Sequence, residues 1–89
     1  MRRAFANRVD NTSKSLIAYA KSLGFDYEPV NASFDGVLAL GHLAICVDWK
    51  SPGASLTPAQ QRMVTRGFPL KFISKPEQID QLRTELMRT

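Results

Sequence analysis

Asp35, Asp48 and Lys50 are the residues whose types and spacing can do chemistry together. The apolar runs Phe34 to Leu40 and Leu43 to Trp49 are separated by Gly41 and His42, and Gly at the first central position is what a type II′ hairpin turn requires. With those two as the loop, Leu40 pairs with Leu43, and counting outward in that register sets Asp35 opposite Asp48. Opposed side chains share one face with Cβ atoms about 5 Å apart, so two carboxylates there repel unless a cation or a proton lies between them. Mg²⁺, with Mn²⁺ as a substitute, meets that demand. It takes a few carboxylate oxygens and a main-chain carbonyl and keeps positions open for water and phosphate. Lys50, two residues beyond Asp48, shares the face and can orient an attacking water or offset charge growing on a phosphate. Ala44 and Cys46 lie on the same face, whereas Leu43, Ile45, Val47 and Trp49 point the other way.

The elements that must hold this hairpin are legible on either side of it. Between Val9 and Leu23 the apolar residues Leu16, Ile17, Ala20 and Leu23 recur at helical spacing, with Asp10, Asn11 or Thr12 as N-cap and Gly24 as the terminating residue. Phe25 to Val30 reads as a short edge strand that meets Pro29. After a loop, Thr57-Pro58-Ala59-Gln60 supplies an N-cap, a Pro in the first turn and a capping-box Gln, and Gly67 closes that helix. Leu70 to Ser74 is a further strand, and Ser74, Pro76 and Glu77 begin a last helix with Ile79, Leu82 and Leu86 on one face. The order is αβββαβ followed by that helix: an α/β chain with a mixed four-stranded sheet flanked by helices, and no internal repeat.

Eighty-nine residues support one domain, 1–89, within which 1–8, bearing Arg2, Arg3 and Arg8, reads as a flexible basic arm. One cysteine excludes a disulfide framework within the chain, and Cys46 reads as a reduced, buried thiol of a cytoplasmic protein. No apolar run approaches the roughly 18 residues of a membrane span. Twelve Lys and Arg against eight Asp and Glu give a net charge of +4, which suits a polyanionic partner.

Asp35 followed by Asp48-Trp49-Lys50 at the end of the next strand resembles the signature of the PD-(D/E)XK nucleases, in an αβββαβ core and over nearly the whole chain. Within that superfamily, Leu56-Thr57-Pro58-Ala59-Gln60 after a Gly-containing loop, then helix, strand and helix, is similar to the VRR-NUC (virus-type replication-repair nuclease) branch. The resemblance implies a restriction-endonuclease-like core and Mg²⁺-dependent hydrolysis of DNA phosphodiester bonds. Asp35 and Asp48 would bind the metal with the Trp49 main-chain carbonyl, Lys50 would assist the water, and Gln60 would take the place of the family's helix Gln. It further implies a homodimeric endonuclease acting on branched DNA such as Holliday junctions, from a phage or a bacterium. Phe34 stands where the motif's name has Pro, and Ser13 where the first helix usually offers an acid, with Asp10 one turn earlier as a substitute.

Other readings stand beside these. A capping box alone explains Gln60, core packing explains the Trp49 ring, and a solvated turn explains His42. Arg62, Arg66, Lys71 and Lys75 either solvate a face or track a phosphate backbone. If the unfilled acid position on the first helix has cost the chain its catalysis, what remains is a nucleic-acid-binding module on the same fold.

Overall fold

A computed structural model describes residues 11–88, so the basic arm at 1–8, the start of the first helix at Val9 and the role of Asp10 lie outside the described residues. The elements run α1 (Asn11–Ser22), β1 (Asp26–Pro29), β2 (Gly36–Leu40), β3 (Leu43–Trp49), α2 (Pro58–Thr65), β4 (Leu70–Ile73) and α3 (Pro76–Met87). They form the expected α/β arrangement of a mixed four-stranded sheet with helices. Strand order is β1-β2-β3-β4, with β1/β2 and β2/β3 antiparallel and β3/β4 parallel. The parallel pair requires a crossover, which α2 supplies.

Local signals place the helix ends. After α1, Gly24 adopts φ 98°, the Gly24 N–H donates to the Lys21 carbonyl, and the Phe25 N–H donates to the Ala20 carbonyl at 3.1 Å. This is the Schellman pattern, and it drops Phe25 into the core. Gly67 repeats it after α2, with the Phe68 N–H on the Met63 carbonyl. At the start of α3 the Gln78 side chain reaches back to accept from the Ser74 and Lys75 N–H groups, satisfying donors that the helix itself leaves open.

One face of the sheet carries the core. Leu16 and Ala20 of α1, Phe25, Leu38 of β2, Val47 of β3, Ile73 of β4 and Ile79 and Leu82 of α3 form a single buried cluster. Tyr19 donates from its hydroxyl to Asp80 at 2.7 Å, and Arg83 from Nε to the Leu23 carbonyl at 3.0 Å, which fastens α1 to α3 over that face. The helix α2 lends nothing to the cluster, and its one buried residue is Gln60. Among the described residues no helix is long and apolar enough to cross a membrane.

The hairpin register is the one the turn dictates, from Leu40↔Leu43 to Gly36↔Val47. Gly41 has φ 66° and His42 has no positive φ, as a type II′ turn needs and a type I′ turn does not. The strand β2 begins at Gly36 rather than Phe34. The Asp35 N–H donates to the Val47 carbonyl at 3.1 Å, so the ladder closes one pair short of Asp35 and Asp48.

Candidate active site

Alternation along β3 sends Val47 and Trp49 to the core and Asp48 and Lys50 to the opposite face. Asp48 is only 7% exposed. A buried carboxylate must be paired, and Lys50 pairs it, with Nζ 3.2 Å from Oδ2. Phe72, the register partner of Asp48 on β4, carries the Lys50 ammonium 5.9 Å from its ring centroid. The Lys50 N–H donates to the Ile73 carbonyl at 2.9 Å, which prolongs the β3–β4 pairing and fixes the backbone from which the lysine departs.

Asp35 reaches the same place by a different route from the opposed pair expected of the register. Its residue is exposed at the end of the β1–β2 loop, yet its Oδ2 turns inward and accepts from the Trp49 N–H at 2.8 Å. There the carboxylate stands in for the strand carbonyl that a longer β2 would have offered. The Val30 N–H donates to the Asp35 carbonyl at 3.0 Å, and the Tyr27 hydroxyl donates to the same oxygen at 3.3 Å. Asp35 is therefore held through its N–H, its carbonyl and its side chain.

The two carboxylates lie close enough for Asp48 to act on Asp35. Burial pushes the Asp35 carboxyl above the usual carboxylate range, the Trp49 N–H pulls it back, the charge of Asp48 and a hydrogen bond shared with it push it up, and Lys50 pulls it down. Two acids and one lysine leave a net negative charge in a partly dry place, with Trp49 offering its carbonyl along the strand edge from which its N–H meets Asp35. Among the described residues no group of three or more His, Cys, Asp or Glu gathers to hold a metal, so the acidic donors here are Asp35 and Asp48. Two carboxylates and a carbonyl fit Mg²⁺ or Mn²⁺, which retain several waters and bind alongside phosphate, and do not fit a closed all-protein cage.

A stability consequence follows from the raised Asp35. An acid whose folded pKa lies above its unfolded value destabilises the fold once ionised, and the penalty fades as pH falls through the folded value toward the unfolded one. Asp35→Asn keeps an acceptor for the Trp49 N–H and removes one like charge. In EDTA at neutral pH it should melt higher than wild type by a few tenths of a kcal/mol, the scale of a partly exposed charge pair, or about 2 °C in Tm. The gap should close on acidification below the ordinary carboxylate range. Thermal melts at a series of pH values check this, and a lower Tm for the variant at neutral pH would contradict it.

Gln60 is 3% exposed, and both ends of its amide are engaged. Its Oε1 accepts from the Thr57 N–H at 3.1 Å while the Thr57 hydroxyl accepts from the Gln60 N–H, which completes the capping box. Its Nε2 donates to the Ser33 carbonyl at 2.8 Å, two residues before Asp35. The capping reading of Gln60 holds, and the residue also fastens the first turn of α2 to the loop that bears Asp35. Gln60→Ala removes the cap contact and leaves the Ser33 carbonyl without its partner, at an expected cost of about 2 kcal/mol, measurable by urea denaturation.

Trp49 turns its ring to the core, 5.6 Å from Tyr27, and donates from Nε1 to the Tyr27 hydroxyl at 3.1 Å. Tyr27 is the residue that sequence reasoning missed. Its signal was indirect: Gly36 inside a strand marks a close approach, and a Cβ there would sit 2.5 Å from the Tyr27 ring and hydroxyl. Ser13 is half-buried on α1. His42 is exposed in the turn, and Cys46 is a free thiol, half-buried and pushed up by burial. Of the expected basic cluster, Lys71 instead reaches Glu85 on α3 at 3.6 Å, because its register partner Val47 lies on the core side of the sheet. Arg62, Arg66 and Lys75 remain exposed.

No family model, no curated protein and no solved structure matches this chain.

Proposed function

We propose that this chain is a metal-dependent nuclease that hydrolyses phosphodiester bonds in DNA, working as a homodimer on a restriction-endonuclease-like core of the VRR-NUC kind. The observation that carries this reading is the meeting of Asp35 and Asp48 at the end of one hairpin, with Lys50 on Asp48 and the Trp49 N–H on Asp35. Holding two like charges side by side in a partly dry place costs stability, and the cost has a purpose if the site takes a hard cation and a phosphate.

A divalent ion held by Asp35, Asp48 and the Trp49 carbonyl would polarise the phosphodiester and make water acidic enough to attack near neutral pH. The protein's own groups supply the rest. The Asp35 carboxylate is aimed by the Trp49 N–H, and Asp48 is fixed by the strand and by Lys50. The Lys50 ammonium donates a hydrogen bond to the attacking water or to a non-bridging phosphate oxygen, orienting the first or countering charge on the second. Water oxygen forms the new bond to phosphorus and gives a proton to solvent, the ester bond in line with it breaks, and the departing sugar oxygen takes up a proton from solvent. A single small site cuts one strand, so paired cuts at a junction require two copies related by a two-fold axis.

Purified protein with Mg²⁺ or Mn²⁺, offered duplex, single-stranded and four-way-junction DNA, should cut at least one of them and none in EDTA. Uncut DNA throughout the panel would refute the reading for this chain. A second reading, a nucleic-acid-binding module without catalysis on the same fold, is favoured by the count of only two carboxylates among the described residues. It predicts binding that is unchanged on removal of the metal, with no cleavage.

A further inference from the structure

We propose that Phe34 and Phe68 form a stacking platform for unpaired DNA bases beside the Asp35–Asp48 site, so that the substrate is DNA with unpaired nucleotides next to the bond that is cut. The proposal rests on the nucleic-acid reading of the site and deepens it. Ser33, Phe34 and Asp35 are consecutive, and each is engaged by a different part of the fold. The Ser33 carbonyl is held by Gln60 in the first turn of α2, the Phe34 ring meets Phe68 just beyond the end of α2, and the Asp35 carboxylate meets the end of β3. The ring pair thus begins one residue from the acid. Its centroids are 6.4 Å apart and its planes tilted by 44°.

Phe68 is 39% exposed and Val64, one turn earlier, 45%. Apolar side chains left in water gain by being covered, and clustered apolar exposure marks an interaction surface. Charge around the pair names the occupant. Arg62 on α2 and Arg66 at its C-cap are both exposed, Arg66 two residues before Phe68, and the ion pairs among the described residues engage Lys50 and Lys71 instead. An exposed Phe68 ring packed on a half-buried Phe34, beside unpaired cations and next to a carboxylate pair, suits a polyanion that also offers flat aromatic faces. Single-stranded nucleic acid is that ligand, since every base has a face to stack and every linkage a charge. A duplex keeps those faces inside its own stack, so the rings engage only where a strand is splayed, gapped or frayed.

Binding measured in EDTA tests the platform without any requirement for cleavage. Fluorescence anisotropy with a 20-nucleotide oligo-dT and with the matching duplex should show Phe68→Leu weakening single-strand affinity about tenfold, within the range of base–aromatic stacking. Duplex affinity should change less than about twofold, because leucine keeps the apolar volume and the phosphate contacts are untouched. Phe68→Tyr, which restores a ring, should bind like wild type. Wild-type protein should also quench 2-aminopurine in a single strand, a readout that holds even if the leucine variant fails to fold. Equal losses on both probes, no loss on oligo-dT, or unquenched 2-aminopurine would overturn the platform. Binding that behaves as stated, with no cleavage under Mg²⁺ or Mn²⁺, would remove the nuclease reading alone.

Discussion

Asp48→Asn is expected to lower cleavage at saturating Mn²⁺ by about a thousandfold, the scale on which one charged group aimed at a phosphoryl centre acts, while leaving the far-ultraviolet spectrum of the folded chain intact. The substitution is nearly isosteric and changes two things at once. It removes a formal negative charge from one of the two acids that the described residues bring to the site, halving the anionic donors they offer a cation. It also takes the counter-charge from Lys50, whose side chain is 16% exposed and whose ammonium lies 3.2 Å from the lost oxygen. An amide oxygen still accepts a hydrogen bond from that ammonium, so the expected loss of stability is modest, about 1 kcal/mol. Asp35 keeps the burial that chiefly raises its carboxyl but loses the Asp48 charge that adds to it. Calorimetric titration with Mn²⁺ separates the effects: metal affinity should collapse while the melting temperature moves by only a few degrees. Activity within about tenfold of wild type, in a folded variant, would place the chemistry elsewhere in the chain.

The parts of this site that were legible in the sequence are those fixed by short-range physics. A Gly-His turn sets the hairpin register because backbone twist restricts what can join two antiparallel strands, and β3 runs over the residues that its apolar alternation gives. The capping box at Thr57 and Gln60 and the glycine closures at Gly24 and Gly67 are likewise local. What escaped is the competition between groups far apart in the chain. The Asp35 carboxylate claims the Trp49 N–H, 14 residues on, so the ladder stops at Gly36 and the two acids meet as neighbours beyond its end rather than as an opposed pair. The Gln60 amide finds the Ser33 carbonyl across 27 residues, and Trp49 Nε1 finds Tyr27 across 22. No periodicity encodes such contacts, because each depends on where two segments come to rest after the sheet has formed.

Among the glycines, Gly36 is the one where an added methyl is most crowded, and Gly36→Ala should cost about 3 kcal/mol or more, as overpacking against backbone does. The reason is space rather than conformation, since Gly36 is not among the residues with positive φ. A Cβ there would lie 2.5 Å from Tyr27 Cε1 and its hydroxyl oxygen and 2.6 Å from the Glu28 carbonyl oxygen. The ring can swing aside, but the carbonyl belongs to β1, which is register-locked by Glu28↔Val37 and Pro29↔Gly36. Relief therefore requires β1 to separate from β2, and with it go the Tyr27 hydroxyl's bonds to Asp35 and Trp49. Against a total stability of about 5–15 kcal/mol, such a loss should lower Tm by more than about 10 °C. A double-mutant cycle apportions it. In a Tyr27→Ala background the ring clash is absent, so Gly36→Ala should cost about 1–2 kcal/mol less there than in wild type, with the remainder reporting the Glu28 carbonyl. Equal costs in both backgrounds would mean that the ring does not crowd Gly36. With coupling of that size, the missing side chain at position 36 is what lets a tyrosine on β1 hold the carbonyl of Asp35 from the core side, while β3 aims its carboxylate from the other.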